Sequence, residues 1–203
     1  MFDQGRSAAG LASLDFARLM EEVRACSACE TKLPLGARPI LQLAPGARLL
    51  VASQAPGTRA HRSGKPFSDA SGEQLRRWMD VTDAEFYNSA LVAILPMALC
   101  YPGRADSGDA PPRPECAKLW RDRLLQQLPE IELTLLVGTY AQDHVLGGGR
   151  MTDRVRNFDA YLPNYLPLPH PSWRSRGWMM RNPWFEEEVL PVVRRRVAQV
   201  LRR

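Results

Sequence analysis

The sequence predicts an α/β fold in three layers, with helices on both faces of a central, mostly parallel sheet of about four strands. Three observations carry that expectation. Short apolar runs recur at 48–53, 90–95, 132–137 and 165–168, the last the weakest. Between them, apolar residues return at the three- and four-residue spacing of a helix face. Runs alternating with helical stretches imply parallel strands joined by crossovers, which bury the sheet on both sides. With 203 residues the chain can build one sizeable core, so a single domain over 1–203 is expected, with residues 1–13 disordered ahead of it.

Each element has a local reason. The first helix is expected over 14–29, where Leu14, Leu19, Met20 and Val23 recur at helical spacing. A loop rich in proline and glycine, 33–46, leads into the first strand. That strand opens at Gln54-Ala55-Pro56-Gly57, where proline and glycine end regular pairing. A helix resumes near Ser71-Gly72, with Leu75, Trp78 and Met79 on one face. The second strand is followed by a loop, 101–112, then a helix whose Cys116, Leu119, Trp120, Leu124 and Leu128 make one stripe. The last helix starts at Asn182-Pro183, a cap followed by proline at the first helical position. Its Phe185, Val189, Val193, Val197 and Val200 face inward, and Pro191 is expected to kink it. Loops leave strand ends after Ser53, Leu95 and Leu168; in open parallel sheets ligands sit at that edge.

Composition narrows the function. Hydrophobic residues at 45% and charged residues at 24% are ordinary for a folded soluble chain and argue against disorder. No run approaches the ~18 apolar residues of a membrane span, and residues 1–14 lack the layout of a signal peptide. A cytosolic protein with no membrane contact is expected. The net charge of +5 suits a polyanionic partner. Cations gather at Arg59, Arg62 and Lys65, at Arg174, Arg176 and Arg181, and at 194–196. The last group reads as a solvated helix face. The first two lie in loops beside candidate motifs and could contact phosphate.

Four cysteines, Cys26, Cys29, Cys100 and Cys116, form a C-x2-C and a distant C-x15-C. Disulfides are uncommon in the cytosol, so these are ligands of a metal centre or plain core thiols. Two thiols two residues apart can clasp one centre, and the wide second pair favours a cluster over zinc. Zinc is the alternative.

Two further motifs complete a pattern. Ser53-Gln54-Ala55-Pro56-Gly57 precedes Gly64-Lys65-Pro66-Phe67, and His170-Pro171-Ser172 follows the last strand. With the cysteine layout, this resembles the uracil-DNA glycosylase superfamily, nearest its iron–sulfur bacterial and archaeal branches, from about Cys26 to Trp184. The resemblance implies a uracil-DNA glycosylase-like fold and a structural [4Fe-4S] cluster on the four cysteines. It implies a monofunctional enzyme that flips a deaminated base, most simply uracil, out of DNA and hydrolyses its N-glycosidic bond; a monomer is the default expectation. Phe67 would stack on the base, with Ala55, Pro56, Gly57 and Ser172 forming the rest of the base-binding wall. His170 would donate to the base's O2 as negative charge develops.

This sequence departs from that pattern twice. The acidic pair that follows the first motif is replaced by Ala60 and His61. His61 is one candidate for handling water; Asp69 is another, with a helix cap as its competing role. Gln54, in place of glutamate, is a third polar candidate. The asparagine expected four residues before the third cysteine is Pro96, which has no donor, and Asn88 lies too far upstream to replace it. Arg174 and Arg176, in a loop expected over 173–180, are the candidate DNA contacts. Two rival readings follow: a non-catalytic sensor of deaminated or single-stranded DNA, and a zinc-stapled nucleotide-binding protein acting on small molecules.

Overall fold

The structure, a computed structural model, describes residues 8–106 and 108–202, with side chains from residue 14 on. Its centre is a four-stranded sheet in the order β2-β1-β5-β6, all pairs parallel: β1 Leu49–Ala52, β2 Val92–Ile94, β5 Leu133–Val137 and β6 Tyr165–Leu168. A two-residue antiparallel hairpin, β3 Arg104–Ala105 and β4 Gly108–Asp109, stands apart from it. Every residue of β1, β2 and β5 is buried, as strands covered on both faces require. Pro167 is accommodated because β6 is an edge strand. The other edge, β2, is shielded by Gln42, whose N–H donates to Ile94 O at 3.0 Å and whose O accepts from Ile94 N–H at 2.7 Å.

The period-two alternation of strand side chains divides the core into layers. On one face Leu49, Val51, Ile94, Leu135 and Leu166 meet Trp78 and Met79 of α3 (Ala70–Met79) and Val193 and Val197 of α10 (Leu190–Leu201). On the other, Leu50, Ala93 and Leu95 meet Leu19, Met20 and Val23 of α1 (Ala8–Arg24), with Cys116, Leu124 and Leu128. The expected three layers are present. Shorter helices complete the chain: α2 Thr58–Ser63, α4 Asp83–Phe86, α5 Pro114–Cys116, α6 Asp122–Leu125, α7 Thr139–Leu146, α8 Met151–Arg156 and α9 Ser175–Arg181. Among the described residues, no helix is long and apolar enough to cross a membrane.

Several details differ from expectation, each for a physical reason. The first helix begins at Ala8 and ends at Arg24, so Cys26 and Cys29 both lie beyond it; residues 1–7 lie outside the described residues. Leu14 is 55% exposed, because at about 100° per residue it points away from Leu19, Met20 and Val23. The stripe after 112 is interrupted by a π-helical turn, Ala117–Arg121, between α5 and α6. The wider turn shifts the helical phase and leaves Leu119 46% exposed. A second π-helical turn, Phe185–Val189, precedes α10, whose first turn holds Pro191 without losing a needed N–H. Most of the loop expected over 173–180 is instead helix, α9, with Trp178 packed edge-to-face on Trp184 and Phe185. Its sequence lacks a strong helical stripe; tertiary packing supplies the order.

Candidate active site

A cavity of about 480 Å³ opens at the carboxyl ends of the strands. After β1 it is walled by Ser53, Gln54, Ala55, Pro56 and Gly57; after β2 by Pro96; after β5 by Tyr140 in the first turn of α7; after β6 by His170 and Ser172. Two hydrogen bonds fasten the second wall to the first: Met97 N–H donates to Ser53 O at 2.7 Å and Ala98 N–H to Gln54 O at 3.1 Å.

Phe67 also lines this cavity. Its backbone is left-handed, φ 51°, a conformation costing roughly 1–2 kcal/mol for a residue with a Cβ. Tertiary bonds hold it there. The Phe67 carbonyl accepts from the Tyr87 hydroxyl at 2.9 Å and from Arg76 Nη1 at 3.2 Å. Phe86 braces its ring edge-to-face, centroids 6.1 Å apart. Gly72 lets the turn close, because a Cβ there would stand 1.8 Å from the Phe67 carbonyl oxygen.

His170 leaves the end of β6. Its carbonyl accepts from Ser172 N–H at 2.8 Å and from the Ser175 hydroxyl at the start of α9, so that helix orients the His-Pro-Ser turn. Gly138, after β5, lies beneath it: a Cβ there would come 3.4 Å from the His170 Cβ. Burial holds the imidazole below its usual pKa, with the Asp69 carboxylate opposing the shift. The neutral ring, with one N–H to donate, therefore persists further into acid than a free histidine would.

The candidates for handling water separate. His61 does not line the cavity. Its ring tilts against Tyr101, centroids 6.2 Å apart, and Arg38 donates to its carbonyl. Gln54 lines the cavity, but its amide donates to Ala110 O at 2.9 Å, binding the first wall to the end of the small hairpin. Asp69 takes the capping role and also stays in the cavity wall. One carboxylate oxygen accepts from Gly72 N–H at 3.0 Å as the cap of α3, and the residue lines the cavity.

The hairpin brings residues that the sequence reading leaves inside an undifferentiated loop. Arg104, Gly108 and Asp109 all line the cavity. A two-residue strand has no periodicity to read, so no local signal marks Asp109. The residue as a whole is exposed, but partial desolvation of its carboxyl on the cavity side pushes it above the usual carboxylate value; Arg104 and Arg174 pull it down and Asp69 pushes it up. Arg174 lines the cavity beside Trp173, with its guanidinium 5.3 Å from that ring and packed against Gly108. Arg176 is exposed on α9 and outside the cavity lining.

Cys26, Cys29, Cys100 and Cys116 line a second, much smaller cavity of about 20 Å³ with Leu119 and Trp120. Two N–H groups point at sulfur: Trp120 Nε1 to Cys26 Sγ and Leu99 N to Cys116 Sγ, both 3.2 Å. Lys32, just after Cys29, donates to Glu115, just before Cys116, at 2.7 Å, joining the two cysteine-bearing segments. Burial pushes the Cys100 thiol up to about 11 and Cys116 to about 12, with the neighbouring thiols adding to both shifts. Among the described residues, no group of three or more His, Cys, Asp or Glu side chains is arranged to hold a metal ion.

A polar cavity at the carboxyl edge of a parallel sheet, with a histidine and a braced phenylalanine in its wall, stands where open α/β proteins bind their ligands. The sequence model of the uracil DNA glycosylase superfamily matches residues 41–194. The chain belongs to that superfamily.

Proposed function

We propose that this chain is a monofunctional DNA glycosylase that releases a deaminated base, uracil foremost, from DNA. The observation that carries the reading is that His170 and Phe67, far apart in sequence, line one cavity. A base turned out of the helix stacks on Phe67 while the neutral His170 N–H donates to its O2. As the bond between sugar and base breaks, electron density moves onto the base, and that hydrogen bond strengthens. Pro96 stands where a side-chain amide would read the base edge, a contact worth roughly 1–3 kcal/mol of discrimination. Selectivity therefore rests on backbone groups and on the fit of the walls.

The test is incubation of the purified protein with oligonucleotides carrying uracil, hypoxanthine or xanthine, followed by alkali. Cleavage at uracil is expected. No alkali-labile site on any of the three defeats the enzymatic reading, and tight lesion-specific binding without release selects the sensor instead, which the missing amide at Pro96 favours.

The four cysteines are proposed to hold a structural [4Fe-4S] cluster. The support is a donor set of four thiols on one cavity with N–H groups aimed at two of the sulfurs. Bound there, such a cluster supplies a covalent pin between the segment after α1 and the loop leading into α5. Iron and sulfide analysis with an absorbance scan distinguishes it from zinc, which leaves the protein colourless.

The DNA strand is proposed to cross Arg174 and Arg176. Arg176→Ala is expected to weaken binding to every sequence alike and to lower the slope of log affinity against log salt by about 0.9, the loss of one phosphate contact. An unchanged slope in a fluorescence-anisotropy salt titration places the strand elsewhere.

A further inference from the structure

Ala60 and His61 stand where the resemblance implies an acidic pair, yet the cavity wall carries two carboxylates, Asp69 and Asp109. Asp109 enters it from a different part of the chain, the hairpin between the third and fourth cysteines. Its position is fixed from three sides. β3 pairs Arg104 with Asp109, Ala110 N–H closes the hairpin on Gly103 O at 2.8 Å, and Gln54 donates to Ala110 O at 2.9 Å. Gln54 thus holds in place the segment that carries an acid, where a glutamate would bring its own.

Gly57 defines the space. At the point where a Cβ on Gly57 would stand, the only atoms of the described residues within 4 Å beyond its immediate neighbours are Asp109 Oδ2 at 3.4 Å and Asp69 Oδ2 at 3.9 Å. The absence of a side chain leaves a gap over the first motif, lined by two carboxylate oxygens, in the cavity that holds His170 and Phe67.

We propose that Asp109 is the catalytic carboxylate that holds the attacking water in this gap and takes its proton. The assignment rests on the glycosylase reading above. The water oxygen forms a bond to the anomeric carbon of the deoxyribose as the carbon–nitrogen bond breaks. The electron pair leaves on the base, which departs as an anion under His170, and the water's proton passes to Asp109 and then to solvent. Asp69 is the less available of the two, because one of its oxygens is committed to the Gly72 N–H as the cap of α3. Asp109 makes no such cap: it stands on an exposed hairpin with its carboxylate turned to the cavity, and partial desolvation there raises its affinity for a proton. The charged groups acting on it are Arg104 in its own hairpin, Asp69 at the cap of α3 and Arg174 ahead of α9.

The test is single-turnover base release from a uracil oligonucleotide by wild type, Asp109→Asn, Asp109→Glu, Asp69→Asn and Asp106→Asn, each across pH 4–9, with thermal unfolding of every protein. Removal of a general base should cost about 10²–10⁴-fold in rate. Asp109→Asn is expected to lose that much, with unfolding temperature and lesion-DNA affinity unchanged. The rate of wild type should fall as pH drops and Asp109 takes up a proton, and that acid limb should vanish in Asp109→Asn. Asp109→Glu should recover part of the rate. The exposed neighbour Asp106 lies outside the cavity lining, and Asp106→Asn should match wild type. An active wild type with Asp109→Asn within threefold of it, or with the loss confined to Asp69→Asn, overturns the assignment of Asp109 alone. A wild type that releases no base overturns the glycosylase reading and this assignment with it.

Discussion

His170→Ala is expected to lower uracil release about 10²–10³-fold while leaving the fold, the lesion-DNA affinity and any iron–sulfur absorbance as they are. The magnitude is that of removing one preorganised donor aimed at developing negative charge in a water-poor site. The structure gives the reason that donor is preorganised. The His170 carbonyl is held by Ser172 and Ser175, and Gly138 packs beneath the side chain. The ring is kept neutral by burial, so no proton need be lost before it donates in the ordinary pH range. Stability should change by no more than about 1 kcal/mol, since the ring faces an open cavity and truncation leaves no closed void. A single-turnover rate within threefold of wild type would mean that the leaving base is stabilised by another group. A large drop in unfolding temperature would make the loss uninterpretable as chemistry, and His170→Gln, which keeps an N–H donor, would then be the informative variant.

Gly72→Ala should be among the most damaging small substitutions in the protein, although alanine is the better helix former. Helix propensity favours alanine by about 1 kcal/mol at an interior position. Against that stands an overlap with a backbone atom. The new methyl would lie 1.8 Å from the Phe67 carbonyl oxygen and 2.8 Å from the Phe67 Cβ. A flexible side chain could yield; this carbonyl cannot, being held by Tyr87 and Arg76 in a turn already at positive φ. The steric term wins, and a loss of about 3 kcal/mol is expected, at the upper end of overpacking costs. In a chain this long that corresponds to roughly 6–12 °C in unfolding temperature. Base release should fall as well, because relief of the clash moves the ring proposed to stack on the base. Calorimetry showing Gly72→Ala as stable as wild type would mean that the turn between Phe67 and α3 differs from the one described.

The three-layer arrangement was legible because parallel strands buried on both faces must be apolar throughout, and 165–168 reads as a strand to the residue. The inward stripe of the last helix was legible for the same reason: Phe185, Val189, Val193, Val197 and Val200 are all buried. The stripe through Leu119 was not, since a π-helical turn changes the phase on which such a reading depends. The small helices α2, α4, α7 and α8 are too short to show a period. At the site, residues on strand ends and in proline–glycine loops could be named in advance: Gln54 to Gly57, Phe67, Asp69, His170, Ser172 and Arg174 line the cavity. His61, chosen by its distance along the chain from the first motif, turns toward Tyr101 instead, because α2 carries it round to the other side.

What the sequence by itself determined was the layering of the domain and the chemical types gathered at one edge of its sheet. These follow from hydrophobic burial and from the turn residues that end strands, both properties of a few consecutive positions. Only the tertiary structure decided which carboxylates face the cavity, that Gln54 binds the hairpin, and that Phe67 is held at positive φ. Those outcomes depend on hydrogen bonds and close contacts between segments tens of residues apart, and a side chain's direction is set by partners that its neighbours along the chain do not reveal.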